Sequence, residues 1–306
     1  MMNRRTFLLG ATACAAVAAD TEPDWGGPVI DIHCHLRRSV DDNLTHNRGC
    51  GVSHANLLTG ANAAERAREA QAKMPDKFRW SVSTDLRSPE AEALIRAALK
   101  SGAAGIGELK SHVEADGPEL RRMYALAAEV GVPVLVHFQE VDHFAGEGKW
   151  SSGFKRFEGM LKAYPKTRFV GHADAFWANV SADYAEQAAY PSGPIKRTGL
   201  TDKLLGDYPN LFGDMSANSG NNALSRDAEF TRGFLQRHQD KLIFGSDCSC
   251  TDGKGGGIGQ AGNPAASRLA GKCVSRETLG LLKGATSPEQ FRKLVWGNAR
   301  RVYAWS

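Results

Sequence analysis

The sequence predicts an α/β fold, a single (β/α)8 barrel with its chemistry at the C-terminal mouth of the strands. Three observations predict it. Short apolar segments alternate with helical segments, and eight strand-then-helix units can be counted along the chain. Several of the apolar segments are near-continuous runs, as in parallel strands covered on both faces. Histidines and acids stand where those runs end, which is the rim that such barrels use for chemistry. An open doubly wound sheet is the competing arrangement. No linker splits the 306 residues, and no internal repeat is visible.

Taken in order, residues 29–36 (VIDIHCHL) read as the first strand, because isoleucines alternate there with residues that end in a His-Cys-His triplet. Residues 37–50 are polar and contain glycine, so a long loop is expected. The second strand is placed at 51–58 and a helix at Ala63 to Lys73. The third strand is 78–84. Pro89 opens a helix whose Ala91, Leu94, Ile95, Ala98 and Leu99 form one apolar stripe, and Gly102 ends it. The fourth strand is 103–110. Pro118 opens the next helix, with Leu120, Met123, Tyr124 and Ala127 on one face and Gly131 closing it. The fifth strand is 132–138, followed by a helix from Phe154 to Tyr164. The sixth strand is 167–173, then a long segment to Gly199 and a short helix from Thr201 to Leu205. The seventh strand is 210–217, followed by a helix from Ala228 to Asp240. The eighth strand is 241–247. After a Gly-rich loop come two helices, Arg276 to Lys283 and Pro288 to Tyr303.

The first residues have a different character. Arg4 and Arg5 precede an apolar run to Val17, and small residues occupy Ala15 to Ala19. This is the pattern of a twin-arginine signal peptide over 1–19, leaving a barrel domain over 20–306 and a periplasmic or secreted protein. The run is too short to span a bilayer, so no membrane span is expected. The residues before Cys14 lack the leucine usual at a lipid-modified cysteine. Loss of Arg4 and Arg5 lowers the net charge from +4 to +2, and no basic run remains, which excludes a nucleic-acid partner. Cys34, Cys50, Cys248, Cys250 and Cys273 remain, an odd number that argues against a disulfide framework.

The strand ends carry the functional signal. Residues two apart on a strand point the same way, so His33 and His35 project together. Strand four supplies Glu108 and Lys110, strand five His137 with Gln139 two further on, and strand six His172. Strand seven supplies Asp214 and Ser216, and strand eight Asp247. Such residues do not end buried strands without a partner there, and together they predict a metal site. The other histidines are expected at the surface or in packing. His46 and His54 lie outside the pattern, His112 and His143 could reach the mouth, and His238 sits in a charged helix where water should reach it.

The pair His33 and His35, with His137, His172 and Asp247 at the ends of strands five, six and eight, resembles the amidohydrolase superfamily. The chain looks most like its amidohydrolase-related branch of metal-dependent hydrolases and decarboxylases. The closing stretch 296–303 (WGNARRVY) is similar to that branch's last helix and is less specific. The resemblance runs over nearly the whole chain from Asp31. It implies that His33, His35 and Asp247 hold a deeply placed metal. His137 and His172 would hold a second metal, or one would be a ligand and the other catalytic. Many binuclear relatives carry a carboxylated lysine on strand four. Here Glu108 could bridge two ions, as in TatD-type nucleases, with Lys110 as the competing candidate. If Glu108 turns away, one metal remains on His33, His35, His137 and Asp247, and His172 becomes the acid/base, as in the branch's decarboxylases.

Mixed imidazole and carboxylate ligands suit zinc ahead of manganese or iron. Bound zinc lowers the pKa of its water toward ~7, and Asp247 can take that water's proton and later return it to the leaving group. The expected activity is hydrolysis of an amide, ester or lactone bond in a small molecule. Decarboxylation or hydration of a small carboxylic acid is the alternative, and a non-catalytic periplasmic metal-binding or sugar-binding barrel is the third reading.

Two long loops are expected over the mouth. The first begins at Ala173 and contains Trp177, which either walls the substrate or packs. The second, Cys248 to Ser275, is rich in glycine. Its Gly257, Gly259 and Gly262 match G-x-G-x-x-G only weakly, and a mobile lid is the better reading. Cys248 and Cys250 form a metal-binding pair, a plain loop pair, or an oxidised pair with Cys273. Cys34 is expected to fill core space. Lys110, Arg37, Arg38 and Arg226 are candidate contacts for a substrate carboxylate, and self-association is left open.

Overall fold

A computed structural model describes residues 22–257 and 268–305. The expected leader, Cys14, Gly259 and Gly262 lie outside the described residues. The strands are β1 Ile30–His35, β2 His54–Gly60, β3 Phe78–Ser83, β4 Gly105–Leu109, β5 Pro133–His137, β6 Arg168–His172, β7 Leu211–Asp214 and β8 Leu242–Ile243. All neighbouring pairs are parallel, in the order β1 to β8. β8 is shorter than expected, because the chain beyond it turns to β1. Backbone bonds from Ile32 N to Phe244 O (3.2 Å) and from Asp247 N to His33 O (2.8 Å) join the two ends of the sheet. The eight units form the expected barrel.

The helices are α1 Val40–Cys50, α2 Ala64–Lys73, α3 Ala91–Lys100, α4 Pro118–Val130, α5 Glu158–Ala163 and α6 Ala173–Ala178. They continue as α7 Leu200–Asp207, α8 Ala217–Ser225, α9 Ala228–Arg237, α10 Val274–Ala285, α11 Pro288–Arg292 and α12 Asn298–Val302. Among the described residues no helix is long and apolar enough to cross a membrane.

Two apolar layers fix the barrel. Inside, Ile30, Ile32, Leu58, Leu135, Val170, Phe212 and Ile243 meet Ala299, Val302, Tyr303 and Trp305, so the C-terminal helix plugs the end opposite the site. Outside, Leu57, Val82, Ile106, Val134 and Phe169 pack against the helix stripes, including Ile95, Leu120, Tyr124 and Phe234. The stripe residues read from sequence in α3 and α4 are those whose burial pins these helices, apart from Leu94, which is exposed, and Leu99, which is partly so.

Residues 37–50 are not a long loop. Their larger part is α1, begun by a capping box in which Ser39 Oγ accepts from Asp42 N and Asp42 Oδ2 accepts from Ser39 N, and ended by Gly51 at φ +72°. The helix was hidden because its buried face is mostly polar: Asn43, His46, Asn47 and Cys50 instead of an apolar stripe. The last expected helix is also divided, since a π turn at Lys293–Gly297 separates α11 from α12.

Candidate metal centre at the barrel mouth

Bulges aim the site residues. Between Asp31 and Cys34 of β1 the register to β2 slips by one residue, and β4 slips likewise between Ile106 and Leu109. An extra residue reverses the alternation of the strand. Ile30 and Ile32 can therefore fill the interior lower down while His33 and His35, one step out of phase with them, turn into the same interior above. Asp31 supports this bulge. Its buried carboxylate accepts from His33 N and Ser246 N, both at 2.9 Å, and from Ser246 Oγ at 2.5 Å.

The ring nitrogens and carboxylate oxygens converge. Glu108 Oε2 lies 3.6 Å from His33 Nε2 and 3.6 Å from His35 Nε2. Its other oxygen, Oε1, faces His172 Nε2 at 3.4 Å and contacts His137 Nδ1. Asp247 Oδ1 is 3.3 Å from His35 Nε2 and 3.8 Å from His33 Nε2, and its Oδ2 is 4.0 Å from His172 Nε2. Two ligand atoms each ~2.1 Å from a tetrahedral ion lie ~3.4 Å apart, so this is the spacing of atoms that share a cation. Among the described residues two overlapping sets at the mouth have their ligand atoms within 4.8 Å of one another: His33, Glu108 and His172, and His33, His35 and Asp247.

The charges agree. Burial opposes ionisation of Glu108, but His137 and His33 hold its carboxyl well below the usual range. Burial likewise works against Asp247, and His33 and His35 outweigh it. Burial disfavours a charged His33 ring, yet the Asp247 and Asp214 carboxylates raise its pKa well above the ordinary imidazole value. Ionised carboxylates that must borrow protons from buried imidazoles form a site short of positive charge.

A family model described as amidohydrolase matches residues 30–305. The chain belongs to the amidohydrolase family. It is an enzyme of that superfamily, in which dependence on divalent metals is typical. Solved structures support the barrel of this amidohydrolase. One, described as a 2-pyrone-4,6-dicarboxylic acid hydrolase from Pseudomonas putida, is 16% identical, with a TM-score of 0.55 over 91% of this chain and 98% of that one. A dihydroorotase from Campylobacter jejuni is 16% identical, with a TM-score of 0.53 over 95% and 87%. A TatD homolog from Escherichia coli is 12% identical, with a TM-score of 0.55 over 90% and 98%. No curated protein matches the amidohydrolase by sequence.

The mouth of this amidohydrolase brings together His33, His35, Glu108, His137, His172 and Asp247. It leaves out Lys110, whose Nζ stands 3.9 Å from Glu147 Oε1 and over the Trp150 ring, although Lys110 lines the same cleft as His35 and Glu108. Trp177 packs in the core. It belongs to α6, where it is buried beside Phe176 and Phe234 and donates its indole N–H to Asp214 O. His112 stacks on Trp150, and His143 stacks on Tyr190 with its Nε2 3.3 Å from Asp174 Oδ1. His238 is buried, not solvated, and pairs with Asp202 Oδ1 at 2.5 Å. Arg37 is spent on Cys248 O at 2.7 Å.

Sequence reading placed Asp214 and Ser216 at the rim but gave them no role. Asp214 Oδ2 lies 2.6 Å from His33 Nδ1 and 3.3 Å from His172 Nδ1, while Ser216 Oγ touches both rings and the carboxylate. Both Nδ1 atoms are thus engaged, which turns both Nε2 atoms toward the mouth. Gln139 does the same for His137 from the other side, with its Oε1 3.0 Å from Nε2, leaving Nδ1 to face Glu108. Asp214→Asn should weaken metal binding by about 10–100-fold, because an amide N–H facing Nδ1 favours the wrong tautomer. Competition with a chromophoric chelator measures this, and an unchanged affinity would deny Asp214 its orienting role.

Proposed function

We propose that this amidohydrolase holds two divalent cations, zinc in the first place, and hydrolyses an amide, ester or lactone bond of a small molecule. The carrying observation is Glu108, whose two oxygens face two different histidine pairs. His33, His35 and Asp247 would hold one ion, His137 and His172 the other, and Glu108 would serve both. The residues fit such a group: His33 Nε2 is buried, has no hydrogen-bond partner and points into the cluster of oxygens. Bound zinc supplies a Lewis acid for the scissile carbonyl and makes a water acidic near neutral pH.

The chain's own groups do the rest. Asp247, ionised and held against His35, accepts the proton of the attacking water and delivers it to the departing oxygen or nitrogen. Asp214 and Gln139 keep the imidazoles from turning. The substrate enters a cleft of about 790 Å³ bordered by His35, Thr59, Asn62, Leu94, Glu108 and Lys110. Lys110 is its cation, suited to a substrate carboxylate. The hydrolase described for a pyrone dicarboxylic acid and the dihydroorotase support a cyclic ester or amide bearing such a group.

A panel of lactones, cyclic amides and linear esters, each with and without a carboxylate, tests this reading on the zinc-loaded protein. Ring opening or ester cleavage is expected, abolished by a chelator and restored by zinc, with Lys110→Met raising KM only for the carboxylates. Release of carbon dioxide without hydrolysis, or turnover indifferent to the chelator, would overturn it.

A further inference from the structure

We propose a second metal site, separate from the mouth: a structural zinc held by His46 of α1, Cys248 and Cys250 of the loop after β8, and Cys273 at the start of α10. One ligand atom from each of the four lies within 4.8 Å of the other three. The sequence suggested surface or packing for His46, and for Cys248 and Cys250 a metal-binding pair, a plain loop pair or an oxidised pair with Cys273. The structure gathers free thiols around a buried imidazole.

The distances choose between metal and disulfide. Cys248 Sγ is 3.3 Å from Cys250 Sγ and 3.7 Å from Cys273 Sγ. Sulfurs ~2.3 Å from a tetrahedral zinc stand ~3.8 Å apart, against ~2.05 Å in a disulfide. Three thiolates and one imidazole complete a zinc coordination shell, and a fourth thiol, Cys50, stands 4.0 Å from His46 Nδ1 without joining the quartet. His46 supplies an independent sign of a missing partner. It is fully buried, its Nδ1 stands 3.3 Å from Asn47 Oδ1, and its Nε2 has no hydrogen-bond partner. A buried ring nitrogen left unpaired costs stability unless something binds it.

The surrounding backbone is built for this junction. A Cβ on Gly49 would fall 1.7 Å from Asp252 O, and Gly253, at φ +68°, passes so close to His46 O that its Cβ would lie 2.2 Å away. Only glycines allow α1 and the loop to approach so nearly. Arg276 of α10 ties the same corner by donating Nε to Gly49 O at 2.9 Å.

With four protein ligands the site keeps no open position, so it is structural. Binding releases three thiol protons to solvent and changes no oxidation state. Its place gives it a purpose. Cys248 follows Asp247, which sits at φ +45°, so the zinc would anchor the chain on the far side of the proposed base. The site stands on its own residues and survives if the hydrolytic reading fails.

Cobalt(II) tests it on the whole chain. Thiolate ligands give an intense near-ultraviolet charge-transfer absorption that the thiol-free mouth cannot give. The band is expected in the unmodified protein, in Glu108→Gln and in Cys50→Ala, whose thiol lies outside the quartet. It should vanish in Cys250→Ser and His46→Ala, each binding one metal fewer per chain. If those variants fail to fold, the unmodified protein still decides. Three more cysteines should react with iodoacetamide after zinc is stripped than before. No band with the mouth loaded, equal alkylation with and without zinc, or a mapped disulfide among these cysteines would each overturn the proposal.

Discussion

Asp247→Asn is expected to lower kcat by about 10²–10⁴, the range for losing a positioned general acid–base group, while metal content stays near that of the unmodified protein. The side chain is fixed by more than its ligand contacts. Its backbone N–H bonds to His33 O at 2.8 Å, so Asp247 is tied to the same strand that carries the two histidines. Its Oδ1 reaches both of them, and its Oδ2 faces His172. Burial alone would push this carboxyl up toward its protonated form, which cannot take a proton from water. His33 and His35 reverse that and keep it ionised. Asparagine keeps the size and one oxygen, so coordination through Oδ1 survives, but it has no basic oxygen left. Turnover on a substrate from the panel and metal analysis of the same sample separate the two effects. Unchanged turnover would remove the proton-transfer role, and loss of both metal and turnover would make Asp247 a ligand alone.

How far the sequence carried depended on whether each residue's role is local. Strands such as 132–138 are legible because continuous burial leaves a run of apolar residues. His33 and His35 share a face by alternation alone. What alternation could not tell is that Ile30 and Ile32 share that interior too, since the bulge between Asp31 and Cys34 exists only in the pairing with β2. Glu108 and Lys110, two apart, were indistinguishable on an ideal strand, and the shift in β4 together with Glu147 beside Lys110 sends only Glu108 among the histidines. Helix α1 escaped because a polar face packed on polar partners has no hydrophobic period, although Ser39 and Asp42 spelled its cap. His238 was misjudged because its partner, Asp202, comes from a distant part of the chain and no local pattern announces it. The thiols gathered around His46 come from as far away. Trp177 followed the strand-end histidine closely enough to suggest the mouth, but α6 forms at once and carries its ring into the core.

Glu108→Gln is expected to release one of the two ions at the mouth and to cut kcat/KM by more than the ~10–100-fold cost of losing an outer partner. The argument rests on symmetry. A carboxylate presents two equivalent anionic oxygens, and here Oε2 faces His33 and His35 while Oε1 faces His137 and His172. An amide can offer its one oxygen to only one of these pairs, and its N–H2 group then points at the other, where a cation would sit. The position at His33 and His35 keeps Asp247 as an anionic ligand and should retain its ion. The position at His137 and His172 has only two imidazoles left and should lose its own. Metal analysis after desalting reads the stoichiometry at the mouth, provided the ion at His46 and the thiols is counted separately by its cobalt spectrum. A single mouth ion in the unmodified protein would dissolve the bridge. The glutamate would then serve as a proton relay or a partner for His137, and His172, freed from coordination but still oriented by Asp214 and Ser216, would become the group to test as acid and base.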